Sequence, residues 1–274
     1  MWNKLTELDR EMLFSYMSNE KELNLFIYGD IENYGVDSKN VSTFALYKDA
    51  KIDAIVVRFI HNYVVYSDHE DFNAKDVATF LRKEKGIGGI TGKGEVIEKL
   101  LPYFGDYEFS KDTMLSLHKK DLKTSSLPTG FHFAEVSSKE ETMKAALLLL
   151  SIEEFALSYK GIDFESKKRK AIDGLKKENG HYNLAIYKDK ELVSLASLTA
   201  KTKEAAMVVG VATKEAYRHL GLASSLISHL GEIAFNEMKL DYLCLFYNNP
   251  EAGSIYGKAG FKVVGPYDML LKCD

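Results

Sequence analysis

The chain reads as an α/β protein of two tandem domains, each a mixed, mostly antiparallel sheet flanked by helices. Three observations lead there. A polar stretch divides the 274 residues into near-equal parts, both parts carry the same short hairpin, and helices and strands follow one another in the same order in each.

The first part opens with a helical pattern over Asp9–Leu25 and continues into Ala45-Leu46-Tyr47-Lys48-Asp49-Ala50-Lys51-Ile52-Asp53-Ala54, an apolar strand, a polar turn and a second strand. A strand over Asn62–Ser67 comes next. A helix over Val96–Phe104, Gly105, and strands near Asp106–Phe109 and Thr113–His118 close this part. The linker follows: Lys119 to Gly130 is rich in Lys, Ser and Thr and ends in Pro128-Thr129-Gly130. Domains are therefore expected over residues 1–122 and 131–274, joined by 123–130, each long enough to bury a core. The second part opens with a helix over Ser138–Leu157 and a basic helix near Asp163–Lys177. Its hairpin, Ala185 to Ser194, repeats Ala, Tyr, Lys and Asp of the first in register. The valine-rich run Ala205–Val211 reads as a strand buried on both faces. Leu222, Leu226, Leu230, Ile233 and Ala234 place a helix from Leu222 to about Lys239. A strand over Tyr242–Tyr247, a helix over Gly253–Lys258, Gly260 and strands near Phe261–Val264 and Asp268–Lys272 complete the chain.

Composition narrows the function. Lys and Arg number 36 against 40 Asp and Glu, a formal charge of −4, too balanced to mark a nucleic-acid or membrane binder by its field. Apolar runs such as Ala145–Leu150 fall far short of the ~20 residues that cross a bilayer. The N-terminus shows no secretory pattern, and two cysteines, Cys244 and Cys273, supply neither a disulfide framework nor a cysteine zinc cage. A reduced cytoplasmic protein is expected. The histidines form no ligand cluster, so no metal is expected.

Chemistry concentrates between the buried strand and the helix that follows. Met207 to Leu226 reads strand, short loop, helix, with Arg218 and Gly221 in the loop. Unpaired N–H groups at a helix start form an anion cradle. Gly221 allows close backbone approach, Ala223 keeps the first turn clear, and Arg218 adds positive charge. A phosphate or pyrophosphate is the expected guest. Further on, Asn249 suits an N-cap, Pro250 the first helical position and Gly260 the exit. Asn249, Ala252 or Gly253, and Tyr256 then share a helix face.

The two stretches together resemble the GCN5-related N-acetyltransferases (the GNAT family). Arg218, Gly221 and Ala223 occupy the Arg/Gln-x-x-Gly-x-Gly/Ala signature. Asn249 to Phe261 is similar to the family's Asn-x-x-Ala-x-x-x-Tyr-x-Lys-x-Gly-Phe pattern. The resemblance implies two tandem GNAT-like domains with acetyl-CoA as co-substrate and no metal. It implies an N-acetyltransferase that moves the acetyl group to a primary amine, on a small molecule or peptide, by direct attack in a ternary complex. On that reading the backbone of Val209–Val211 polarises the thioester, and Val211 and Thr213, with Ala212 between them, take the pantetheine-pairing positions. Arg218, His219, Leu220, Gly221, Leu222, Ala223 and Ser224 hold the pyrophosphate, Asn249 and Tyr256 border the pantetheine, and Tyr256 is the general-acid candidate. No base stands out: Met207 and Val208 lie where GNAT enzymes often have a Glu, and Glu153 and Glu154 are candidates by position alone. Two other readings are a CoA-binding regulatory or interaction protein, and a tandem transferase acting on an aminoacylated or peptidyl substrate. No motif encodes the acceptor or the oligomeric state.

The first domain departs from the pattern. Asp68-His69-Glu70-Asp71-Phe72-Asn73 follows its strand with neither the Arg nor the glycines, and three carboxylates repel a pyrophosphate. It is read as a degenerate GNAT-like domain without a CoA loop. The glycine-rich Gly86–Gly94 fails as a phosphate-binding P-loop, with Ile87 where the first Gly belongs and Gly94 where Ser or Thr belongs, so strand and turn are expected there. Lys167-Lys168-Arg169-Lys170 with Lys176-Lys177 reads as a solvated face, and Cys244 as a buried, inert thiol.

Overall fold

A computed structural model describes residues 1–157, 161–177 and 180–272, with the side chains of Glu154 and Leu157 outside that description. The chain forms two compact units. One comprises Met1–Leu115, Phe246–Asn248 and residues 263–272; the other comprises Ser116–Leu245 and Asn249–Lys262.

The first unit is built on strands β1 (Trp2–Lys4), β2 (Val41–Lys48), β3 (Lys51–Phe59), β4 (Asn62–Tyr66) and β5 (Gly89–Lys93), side by side in that order. All neighbours run antiparallel except β4 and β5, which are parallel. Parallel neighbours need a crossover, supplied by helix α3 (Ala74–Leu81). Helices α1 (Arg10–Met17) and α2 (Leu25–Tyr34) lie between β1 and β2, and α4 (Gly94–Leu100) follows β5. One apolar cluster joins Leu13, Met17, Ile27 and Ile31 to Ile55 and Val57; another joins Val77, Leu81, Val96 and Ile97 to Val56 and Val65.

The second unit repeats this plan. Strands β8 (His132–Glu135), β9 (Tyr182–Lys188), β10 (Glu191–Thr199), β11 (Ala205–Thr213) and β12 (Tyr242–Tyr247) lie in sequence order. Again only the last step, β11 to β12, is parallel. Its crossover is α8 (Leu222–Glu232). Helices α5 (Lys139–Leu150), α6 (Glu153–Leu157) and α7 (Phe164–Gly174) stand before the hairpin, and α9 (Pro250–Ala259) follows β12.

The two hairpins match to the residue. Lys48 pairs with Lys51 around Asp49-Ala50, and Lys188 with Glu191 around Asp189-Lys190. Asp49 and Asp189 both take a positive φ, the left-handed geometry that tight hairpins require. In each, the third residue of the second strand, Asp53 or Val193, is skipped by the pairing. A bulge preserved at one position in two copies is a feature of the template.

Several elements differ from the sequence expectation. The helix expected over Asp9–Leu25 is interrupted: a 3-10 turn at Ser18–Glu20 ends α1, and a separate helix begins at Leu25. Ser18 Oγ donates to the Ser15 carbonyl and Asn24 Nδ2 to that of Glu20, so polar side chains bind their own backbone and divide the run. The helix expected over Ser138–Leu157 breaks between α5 and α6 in the same way, with Ser151 Oγ donating to Leu148. The helix from Leu222 ends in a π-helical turn over Ile233–Glu237. The two closing strands form one strand, β13 (Lys262–Lys272). Pro266 is tolerated within it because the ladder to β5 begins only at Tyr267. β13 completes the first unit's sheet beyond β5 and also pairs β6 (Tyr107–Ser110). β13 therefore serves the first unit. The remaining strand, β7, spans Thr113–His118.

Within the glycine-rich Gly86–Gly94, Gly89–Lys93 form strand β5, the strand expected there, and Gly94 opens helix α4, a helical role not expected of it. A Cβ at Gly92 would lie 2.2 Å from the Val65 carbonyl oxygen and one at Gly94 2.4 Å from Pro266, so these glycines admit neighbouring chain. Among the described residues no helix is long and apolar enough to cross a membrane, and no three of His, Cys, Asp and Glu group to hold a metal ion.

Gly260 ends α9 at φ +106, and a Cβ there would stand 2.0 Å from the Asp121 carbonyl oxygen. Gly260→Ala is expected to cost about 2 kcal/mol or more, read as a fall in denaturation midpoint. Asp30 on α2 supplies a test in pH. Burial pushes its carboxyl from 3.8 up to about 7. Between those values the folded state holds a proton that the unfolded state has released, so this group's contribution to stability falls as pH rises and stays unfavourable above. Asp30→Asn is expected to raise the melting temperature above about pH 7 and to match the parent below about pH 4; thermal melts across pH check this.

Candidate functional site: the β11–α8 cradle

The centre of the site is a bulge. Leu195 pairs with Ala212 and Ser197 with Val209, so Gly210 and Val211 together face the single residue Ala196. Gly210 sits at φ +63, open to glycine without strain, and a Cβ there would lie 3.4 Å from Leu149. One peptide of β11 is thereby withdrawn from the β10 ladder. On the other side, the register with β12 runs from Ala205↔Tyr242 to Met207↔Cys244. Beyond it, β11 is half-exposed at Val209, Gly210, Val211 and Thr213, and Ala212 is buried. A strand edge with unpaired N–H and C=O groups accepts an extended polar chain by pairing with it. Sequence reasoning missed this bulge, although a Gly inside a valine-rich strand is a signal for one.

The end of β11 is held firmly. Ser194 Oγ lies 2.9 Å from the Ala212 carbonyl and 2.8 Å from Thr213 Oγ1. Lys214 Nζ and Tyr217 Oη both donate to Glu191, at 2.7 and 2.8 Å, and hold its carboxyl below the usual range. Arg218 Nε donates to the Thr213 carbonyl at 3.3 Å, with the side chain otherwise exposed. Exposed His219 and Gly221 take positive φ values of 62° and 81°, which turn the chain through exposed Leu220 into α8.

α8 starts without a side-chain cap, because its N-cap residue is Gly221. Leu222, Ala223 and Ser224 form its first turn, whose N–H groups have no carbonyl above them. A Cβ at Gly221 would meet nothing within 4 Å. Bare amides, the positive end of a helix dipole and an arginine together suit a pyrophosphate. The residues present thus fit the phosphate and pantetheine portions of CoA.

α9 packs beside α8. Asn249 caps it, its side chain accepting the Glu251 N–H at 3.0 Å, and Pro250 occupies the first turn. Tyr256 is 8% exposed and tilted against Phe261 at 6.0 Å. Burial pushes its phenol up to about 12, so it keeps its proton at neutral pH. Glu153 lies exposed on α6, and the side chain of Glu154 is outside the described residues. Cys244 is fully buried in β12. On the basic helix α7 Lys168 pairs with Glu165, and just past its end Lys176 pairs with Asp173, as on a solvated face.

The corresponding position of the first unit is built differently. β3 and β4 pair without a shift from Ile55↔Tyr66 to Phe59↔Asn62, so β4 has no bulge. Helix α3 is capped: Asn73 Oδ1 accepts the Asp76 N–H at 3.0 Å, and the buried Asp53 carboxylate takes the Asn73 N–H at 2.9 Å. The amides that α8 leaves open are partly satisfied in α3 by the protein itself.

Residues 149–261 match the acetyltransferase (GNAT) family model. No curated protein sequence matches the chain. Among solved structures, a Drosophila protein aligns at 14% identity over 98% of both chains, with a TM-score of 0.69. A GCN5-related N-acetyltransferase from Kribbella flavida aligns at 17% identity, covering 81% of this chain and 87% of its own, with a TM-score of 0.61. A tandem GNAT protein from the clavulanic acid biosynthesis pathway aligns at 11% identity over 98% of this chain and 97% of its own, with a TM-score of 0.58. At these identities the likeness is one of fold.

Proposed function

Because residues 149–261 match the GNAT acetyltransferase family model, the framework of an acyl transfer, we propose that the protein moves an acetyl group from acetyl-CoA to a primary amine by direct attack. The observation that carries this reading is the pairing of the Gly210–Val211 bulge with the uncapped start of α8 on consecutive segments. A transferase needs both an oxyanion donor and a phosphate cradle, and this arrangement supplies candidates for each.

In the proposed complex, the first turn of α8 and Arg218 hold the pyrophosphate. The open edge of β11 pairs with the pantetheine, leaving the bulge amides facing the thioester carbonyl, where donors fixed in advance stabilise developing negative charge. The amine nitrogen attacks the carbonyl carbon, the carbon–sulfur bond breaks, and the thiolate takes a proton. Tyr256 is the candidate donor: a phenol held protonated by burial has a proton to give at neutral pH. The nitrogen's proton leaves to water or to a carboxylate, with Glu153 and Glu154 supported by position alone. CoA binding is assigned to the second unit only, on the strength of the capped α3 and the bulge-free β4. The domain division at 123–130 remains part of this proposal as a division of labour, even though the chain's last strand completes the first sheet.

Two measurements test the reading. Titration calorimetry with CoA should give one site per chain, and Gly221→Asp should abolish it. A side chain at Gly221 meets no neighbouring atom but must take the left-handed backbone at φ +81, so an intact cooperative melt of the variant assigns the loss to the ligand; two equivalent sites, or full binding by the folded variant, contradict the assignment. Tyr256→Phe should lower kcat on an accepted amine by about 10²-fold at nearly unchanged CoA affinity, since only proton delivery is removed. Wild-type kcat would return Tyr256 to a packing role, and CoA binding without turnover across a broad amine panel would favour a regulatory CoA-binding protein.

A further inference from the structure

Within the first unit, three aromatic rings meet beside the helix that carries Asp30. Phe26 on α2 lies 6.1 Å from Phe246 and 6.2 Å from Tyr267, and Phe246 lies 5.8 Å from Tyr267. The rings form a triangle of nearly equal sides. Tyr267 is fully buried, its hydroxyl 3.2 Å from Thr91 Oγ1, so its ring is fixed; Phe26 and Phe246 are only partly covered. Asp30 stands one helical turn beyond Phe26, on the same face of α2, and its charge reaches the Tyr267 phenol.

Asp30 makes no hydrogen bond or ion pair among the described residues. Lys93, directly opposite Tyr267 in the β5–β13 ladder, is held by Glu20 at 2.9 Å and Glu95 at 3.3 Å. An unpaired carboxylate in an apolar setting is unfavourable, and an Asn of the same shape would avoid that cost. Protonation relieves it below about pH 7; above that, where the charge is present, a cationic ligand offsets it. An anion is repelled, and a neutral molecule leaves the charge unpaired. A divalent metal asks for several oxygen ligands, which no cluster of the described residues offers. An organic ammonium matches this set of groups: an aromatic face attracts a cation, apolar ring edges suit methylenes, and a carboxylate accepts an N–H.

We propose that Asp30, Phe26, Phe246 and Tyr267 bind the ammonium group of an aliphatic amine. The site stands whether or not the chain transfers acetyl groups. The experiment titrates the full chain at about pH 8, where Asp30 is ionised and alkylamines are protonated, with pentylamine and cadaverine, using 1-pentanol as the neutral control and CoA in parallel. Either amine is expected to bind and the alcohol not. Asp30→Asn should weaken amine binding at least about tenfold, the loss of a charged hydrogen-bond partner, while keeping a cooperative melt. Should that variant fail to fold, Phe26→Leu is read by the same criterion. Absence of amine binding, or equal binding by the folded variant, overturns the proposal. The CoA titration separates the two readings: CoA binding without amine binding removes this site alone, and amine binding without CoA binding removes the acetyl-CoA assignment alone.

Discussion

The second unit turns on the left-handed backbone of Gly210. A strand held between β10 and β12 along its whole length has no free amide for a ligand. Placing two residues of β11 opposite one of β10 releases a peptide at mid-strand, and the β12 register ends at Met207↔Cys244 before that point. The strand then continues with an open edge into the loop of Arg218 and Gly221, and the loop into the uncapped α8. Any side chain at position 210 would meet a disfavoured φ.

The contrast with the first unit shows how little of a template must change to alter its chemistry. Both units share the strand order, the single parallel step, the hairpin turn and the bulge three residues after it. They diverge at the bulge in the fourth strand and at the cap of the following helix. In the first unit the hairpin bulge carries Asp53, whose buried carboxylate fastens Asn73, and Asn73 caps α3. In the second, Val193 occupies the equivalent bulge and Gly221 the cap. One unit answers its helix amides internally; the other leaves them outward.

Sequence-distant pairing completes the first unit. Lys93 through Gly89 pair with Tyr267 through Leu271, so a long loop must close before that ladder forms. The same strand delivers Tyr267 to the face of α2, beside Phe26 and Asp30. The aromatic triangle therefore depends on residues far apart in the chain.

The sequence by itself determined whatever rests on local spacing. Asn249, Pro250 and Gly260 mark a helix start and stop through their own backbone preferences, and the structure has them there. Arg218, Gly221 and Ala223 lie on the loop and first turn that the valine-rich strand and the leucine periodicity bracket. The repeated hairpin was legible because turn chemistry is a matter of a few adjacent residues. Tertiary structure decided the rest. Ser18 and Asn24 broke an apparently continuous helix through side-chain bonds to backbone, which periodicity does not register. The Gly210 bulge depends on which residue of β10 stands opposite. The allocation of Lys262–Lys272 to the first sheet, and with it the meeting of three rings beside the helix that carries Asp30, follows from strand pairing between residues far apart, for which a single sequence carries no local sign.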